Sequence, residues 1–170
     1  MEINSWSSNI HLNTERLELR SIQQSDSAFL IQLWTNEKVR EHLGGPLTEQ
    51  KANQRVTEYI DKKCYFIVIE QTSKNLIGLV SLDTYRTGEI EVSYQFLPKF
   101  WGKGFGREAI TEVLNWGFKN IAVDHIVAVT QASNIQSRRV LEKLGMTIRS
   151  TFEEFNETQF KYSITIADVK

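Results

Sequence analysis

Hydrophobic and polar positions alternate over residues 14–21, the period of a half-buried strand. After Asp26, a residue type that caps helices, the apolar residues Phe29, Leu30, Leu33 and Trp34 fall at helical spacing. Gly44-Gly45-Pro46 is a break, and Thr48 opens a second, more polar helix running to about residue 61. Strand patterns follow at 65–69, 76–83 and 89–96, and the Arg86-Thr87-Gly88 turn makes the latter two a hairpin. A helix is predicted from Phe105 to about Asn120, with Ile110, Val113, Leu114, Gly117 and Ile121 along its core-facing stripe. A strand at 126–130 leads to Asn134, a good cap for a helix that ends at Gly145. Two further strands, near 147–151 and 160–166, complete the pattern. Residues 1–13 carry no such pattern and are expected to be a loosely ordered segment ahead of one domain spanning 14–170. The order of elements predicts a mixed α/β domain in three layers.

Composition narrows the class without naming a function. At 170 residues the chain is long enough to bury a substantial core, and 41% hydrophobic with 24% charged residues is ordinary for a globular protein. A net charge of −1 predicts no direct nucleic-acid partner and no pull toward an anionic membrane. No apolar run approaches the roughly 20 residues of a membrane span, and no signal-peptide pattern opens the chain. The single cysteine, Cys64, excludes an internal disulfide and points to a reducing cytoplasm; it stands at the head of a strand pattern as a packing residue. His11, His42 and His125 are scattered without ligand spacing, so no metal is expected.

The chemistry concentrates between Phe96 and Ala109. A strand pattern ends at Phe96, Pro98 follows, and Gly102, Gly104 and Gly106 at every second position open a helix. Glycines there permit positive φ and let a ligand approach the backbone, while the first N–H groups of the helix lack intrahelical partners. Such a turn suits an anion, most often phosphate, although a glycine-rich turn can also be purely structural. The Walker pattern fails because Lys103 is followed by Gly104 rather than Ser or Thr. Gly104-Phe105-Gly106-Arg107-Glu108-Ala109 fits the dinucleotide spacing, but residues 98–101 intervene after the strand and no acid ends the next one.

This loop resembles the pyrophosphate motif of the GNAT acetyltransferase superfamily, Gln/Arg-x-x-Gly-x-Gly/Ala, with Gly104 and Gly106 on its two small positions. Trp101 departs from the general first position but is similar to the Trp-Gly-Lys-Gly form of the branch containing ribosomal-protein N-terminal acetyltransferases. The stretch from Asn134 to Met146, with Asn134-Ile135-Gln136-Ser137 and Glu142-Lys143-Leu144-Gly145, resembles that branch, as does Thr14-Glu15-Arg16-Leu17-Glu18-Leu19-Arg20 near the start. The resemblance covers nearly the whole chain. It implies the GNAT fold: a mixed, mostly antiparallel sheet flanked by helices, with strands splayed at the cofactor site. It further implies an acetyl-CoA-dependent N-acetyltransferase, acting by direct transfer on a primary amine of a small molecule or a protein N-terminus, as a monomer or homodimer. The alternative is a catalytically idle CoA-binding sensor or interaction module.

Site residues follow partly from the resemblance and partly from chemistry. The loop amides of Gly102, Lys103, Gly104, Phe105, Gly106 and Arg107 are expected to hold the pyrophosphate, and the resemblance assigns backbone donors for the thioester carbonyl to Phe96 and Leu97. An amine acceptor is mostly protonated at neutral pH, so a base is useful. Glu91 aligns with the branch's strand glutamate and shares a face with Glu89, Ser93 and Gln95, opposite Ile90, Val92, Tyr94 and Phe96. Glu89 takes its place if the register slips by two, and on many sheets such a face is simply solvated. Leu141 occupies the position where many superfamily members carry an acid-supplying tyrosine. The resemblance instead puts Ser137 near the sulfur and Asn134 beside the cofactor, although the pair also reads as a helix cap and its first turn. Lys143 matches the branch pattern for the adenosine phosphate, and Arg138 and Arg139 stand near it on the same helix.

Overall fold

The computed structural model describes residues 10–169. The chain runs β1 (His11–Asn13), β2 (Leu17–Ser21), α1 (Ser27–Thr35), α2 (Glu37–Arg40), α3 (Glu49–Ile60), β3 (Tyr65–Glu70), β4 (Leu76–Thr84) and β5 (Ile90–Phe96). Then come α4 (Phe105–Asn120), β6 (His125–Gln131), α5 (Ile135–Lys143), β7 (Thr147–Glu154) and β8 (Glu157–Thr165). One sheet holds all the strands in the order β1-β2-β3-β4-β5-β6-β8-β7. Every neighbouring pair is antiparallel except β5 and β6, which run parallel because α4 carries the chain back across the sheet. Of the segment expected to be loosely ordered, residues 1–9 lie outside the described residues, and His11–Asn13 pair with β2 at the sheet edge.

Strand alternation sorts the side chains into two layers. Phe66 meets Trp116 of α4 at 5.7 Å, and Gly117 lets that helix close down, since a Cβ there would stand 2.8 Å from Leu82 Cδ1. On the opposite face Tyr65 packs edge-on against Tyr59 of α3 at 4.8 Å, and Tyr59 against Trp34 of α1 at 5.3 Å. Thus α4 and α5 cover one face, and α1 and α3 the other. The central strands are buried on both faces, which is why 66–69 reads as an unbroken apolar run.

Two local expectations change. Asp26 does not cap α1: its carboxylate accepts Gln23 N–H at 2.7 Å and both Arg20 amines at 2.8 Å, a buried pair at the mouth of the first connection. The last two strands run longer than the pattern predicts, joined by Phe155 and Asn156 with φ of 55° and 59°. That two-residue turn needs left-handed backbone at both positions, and Phe-Asn lacks the glycine that usually announces it.

Candidate active site

The site begins where β5 and β6 separate. Their parallel pairing holds only at Ile90–Ile126 and Glu91–Val127 and then stops. Leu97 N–H donates to Ile77 O at 3.0 Å, so in the alternating antiparallel register residues 91, 93, 95 and 97 turn their backbone groups to β4. The N–H groups of Tyr94 and Phe96 therefore face the gap. Of the two backbone donors expected from the sequence, Phe96 has this orientation and Leu97 does not: its N–H is already bonded. The ring of Phe96 lies flat across β4 because its partner is Gly78, where a Cβ would fall 2.4 Å from Phe96 Cδ1.

The strand end is then folded back on itself. Residues 98–100 make a single 3₁₀ turn, and Trp101 Nε1 donates to Phe96 O at 2.7 Å. This gives the tryptophan of the Trp-Gly-Lys-Gly sequence a structural task. Gly102 and Gly104 take φ of 73° and 81°, left-handed values that L side chains rarely adopt, and Gly104 forms the N-cap of α4. A Cβ at Gly102 would meet nothing within 4 Å, and one at Gly104 would meet only Arg16 Nη2 at 3.3 Å. The first N–H groups of α4, from Phe105 to Arg107, lack intrahelical acceptors, and glycine at 102 and 104 keeps any Cβ off the loop beside them, with Arg16 as the neighbouring side chain. Lys103 and Arg107 are exposed beside it. This cradle fits a pyrophosphate in shape and polarity.

Arg16 braces the cradle, a role its place in a strand motif did not announce. It donates from Nε to Glu108 Oε2 at 2.7 Å and from Nη1 to Lys103 O at 3.0 Å, and its guanidinium stacks 4.6 Å from the Phe105 ring. Glu108 also accepts the Arg16 N–H at 2.9 Å and the Thr14 hydroxyl at 2.5 Å. The start of β2 is in this way fastened to the first turn of α4.

On the α1–α3 face of the gap lies Glu91. It is half-buried, and burial pushes its carboxyl up to about 7, with the Val129 N–H and nearby Arg86 opposing that rise. Glu89 is a different species. Lys161, Thr87 at 2.5 Å and His125 at 3.0 Å share its oxygens, and the Lys161 bond is the main reason its carboxyl is held down to about 2. Glu89 is therefore the weaker base of the two, and Glu91 the one tuned to neutral pH. Ser93 is exposed, whereas Gln95 is half-buried with its Oε1 lacking a hydrogen-bond partner.

Across the gap, Asn134 Oδ1 accepts Ser137 N–H at 3.1 Å and caps α5. Ser137 Oγ stands 2.7 Å from the hydroxyl of Tyr94, which the alternation of β5 had marked only as a core-facing position. Leu141 is 1% exposed and packs in the core, so it brings no hydroxyl to the gap. Lys143 and Arg139 are exposed, while Arg138 donates to Ala132 O at 3.1 Å and stacks on Phe160, away from the role considered for it. Cys64 is 1% exposed and its thiol is pushed up to about 12 by burial, as suits packing rather than attack.

Among the described residues, no cluster of His, Cys, Asp and Glu could hold a metal ion, and no helix is long and apolar enough to cross a membrane.

Comparison with known proteins places this geometry. Residues 16–147 match the family model described as an acetyltransferase (GNAT) domain. The chain is 30% identical over 149 residues to the uncharacterized N-acetyltransferase YnaD of Bacillus subtilis (strain 168), covering 85% of this chain and 87% of that one. A GNAT-family acetyltransferase structure from Bacillus anthracis superposes with a TM-score of 0.83 at 26% identity, over 92% of this chain and 98% of that one. The fold is shared by a ribosomal-protein-S5-alanine acetyltransferase from Vibrio fischeri, with a TM-score of 0.75 at 22% identity over 95% and 99% of the two chains. It is also shared by the spermidine N-acetyltransferase of Vibrio cholerae, solved with CoA and spermine, with a TM-score of 0.78 at 22% identity over 91% and 98%. A glycine cradle at the start of α4, a parting of β5 from β6 beside it, and a family match over most of the sequence agree: the chain belongs to the GNAT family of N-acetyltransferases.

Proposed function

We propose that this protein transfers the acetyl group of acetyl-CoA directly to a primary amine, either of a small molecule or of a protein N-terminus. The observation that carries the reading is the tuned Glu91 at the mouth of the β5–β6 gap, with hydroxyl groups on the other side and the phosphate cradle at its end. When bound, acetyl-CoA supplies the acetyl thioester. The amides of Gly102, Lys103, Gly104, Phe105, Gly106 and Arg107 hold its pyrophosphate, with Asn134 and Lys143 farther along α5.

Phe96 N–H, turned into the gap, polarises the thioester carbonyl; a donor aimed at developing negative charge is worth about 3–4 kcal/mol. Leu97 supports this group by fixing the strand end through its bond to Ile77. Glu91 takes the proton of the attacking amine, directly or through a water, and a carboxyl near 7 is ionised about half the time at neutral pH. Ser137 hydrogen-bonds the departing sulfur. The amine class is supported by the names of the solved relatives, which include a ribosomal-protein-S5-alanine and a spermidine acetyltransferase. The cytoplasm is the proposed compartment, on the single buried cysteine.

A thiol-release assay with acetyl-CoA and an amine panel (N-terminal peptides, polyamines, aminoglycosides and simple amines) tests the proposal. Thiol release coupled to an acetylated product for at least one amine is the expected result. CoA binding without release toward any of them would favour an idle CoA-binding module instead.

A further inference from the structure

Tyr94 leaves β5 on the face covered by α4 and α5 and reaches the first turn of α5. Its hydroxyl lies 2.7 Å from Ser137 Oγ, a bond in which either oxygen can donate, and 3.3 Å from the Ser137 carbonyl oxygen. The Ser137 N–H is committed to Asn134 Oδ1 at 3.1 Å, and among the described residues Ser137 Oγ has no hydrogen-bond partner besides Tyr94. The charged neighbours on α5 are engaged elsewhere: Arg138 on Ala132 O at 3.1 Å, and Glu142 accepting the Tyr162 hydroxyl at 3.0 Å. Tyr162, on β8, is the other titratable group whose field reaches Tyr94. With Leu141 buried one turn beyond Ser137, this hydroxyl pair is what the α5 side offers a leaving group.

We propose that Tyr94 is a positioning residue for acetyl transfer: it donates its phenolic hydrogen to Ser137 Oγ and so turns the serine's own hydrogen toward the departing sulfur. The inference rests on the acetyl-transfer reading above. In the transfer, the amine nitrogen bonds to the acetyl carbon, the carbon–sulfur bond breaks with its electron pair on sulfur, and the amine proton goes to Glu91. Tyr94 and Ser137 keep their protons and lend hydrogen bonds. Burial raises the Tyr94 hydroxyl above the ordinary phenol range and the Ser137 bond only partly reverses this, so it stays a donor at working pH. A serine that receives one hydrogen bond is the stronger donor of another.

The test uses bound CoA and needs no acceptor. The thiol of protein-bound CoA is titrated by the ultraviolet absorbance of its thiolate, in wild type, Tyr94→Phe, Ser137→Ala and the double variant, with CoA affinity and melting temperature recorded for each. A donor aimed at the sulfur favours the thiolate, so Tyr94→Phe should raise the bound thiol's midpoint by about half a pH unit and Ser137→Ala by at least as much. The double variant should match Ser137→Ala alone. Where an acceptor is known, Tyr94→Phe should also lower kcat roughly threefold to tenfold with KM for acetyl-CoA unchanged. A wild-type midpoint in Tyr94→Phe, with CoA still bound, overturns this inference and leaves the transferase reading standing. Failure of the wild type to bind CoA overturns both. If Tyr94→Phe does not fold, Tyr94→Met fills the ring's space without a donor and takes its place in the same comparison.

Discussion

The indole of Trp101 donates to the carbonyl oxygen of Phe96 at 2.7 Å, five residues back along the chain. That bond closes the end of β5 onto the glycine cradle, so the strand that turns a backbone N–H to the gap and the loop proposed to hold the pyrophosphate are one mechanical unit. Trp101→Phe keeps the ring and removes the bond. It should cost about 0.5–1.5 kcal/mol of stability and weaken CoA binding several-fold, since Arg16 then braces the loop without the strand-end clamp. Denaturant melts and calorimetry on the same preparation check both, and an unchanged CoA affinity would show that the cradle holds its shape without this clamp.

The cradle itself makes a sharper forecast. Gly104 sits at φ 81° with room for a Cβ on every side but one, where Arg16 Nη2 would stand at 3.3 Å. Space is therefore not the obstacle to substitution; backbone conformation is. A β-branched residue is strongly disfavoured there, and its side chain would stand over the N–H groups of α4. Gly104→Val should lower CoA affinity by more than tenfold and destabilise the protein by about 1–3 kcal/mol. Gly104→Asn, a residue that tolerates left-handed backbone, should recover most of the stability and little of the binding. Titration calorimetry with CoA distinguishes the two losses.

The sequence revealed this loop because its constraint is on the backbone, and only glycine satisfies positive φ cheaply at such positions. It revealed Asn134 for a similar reason: a cap is local, and the expected cap is present, with Asn134 Oδ1 accepting the Ser137 N–H at 3.1 Å. Contacts between distant segments left no such trace. Tyr94 reads as an alternating apolar position until α5 is known to cross it, and Arg16 reads as a strand residue until α4 is seen to begin beside it. The same limit explains Asp26, whose carboxylate was drawn from the expected cap by Arg20 from β2. Phe155 and Asn156 adopt a tight turn without the glycine that usually marks one, because long pairing of β7 and β8 on either side imposes it.

The two roles at the start of α5 separate by mutation. Asn134→Ala removes the cap and should lower stability by about 0.5–2 kcal/mol. From sequence alone, Ser137→Ala is expected to spare stability as a lost first-turn hydroxyl. The Tyr94 bond changes that expectation: a partly buried phenol loses its Oγ partner and keeps only the longer contact to the Ser137 carbonyl, so about 1 kcal/mol should be lost. Melting curves of both variants at one pH decide the matter, and a Ser137→Ala protein as stable as wild type would mean that the phenol finds another partner.

Glu91 yields the prediction in which activity and stability move in opposite directions. Its folded-state carboxyl titrates near 7 against an ordinary value of 4.5, because burial disfavours the charge. A carboxyl raised on folding binds its proton more tightly in the native state, so its contribution to stability is fully present below the unfolded value and is lost as pH rises through about 7. Wild type should therefore lose stability between about pH 4.5 and 7.5 at this site, by an amount on the order of 1–3 kcal/mol. Glu91→Gln has the same shape without the charge. It should be close to wild type in stability at pH 4.5 and more stable at pH 8. Its turnover at neutral pH should fall about 10²–10⁴-fold with CoA affinity little changed, and the deficit should shrink at high pH, where more of the acceptor amine is already neutral. Melting temperatures of the pair across this range, set beside their pH–rate profiles, test both halves at once. A variant that gains alkaline stability yet keeps full activity would leave Glu91 a half-buried carboxyl with no part in the proton transfer.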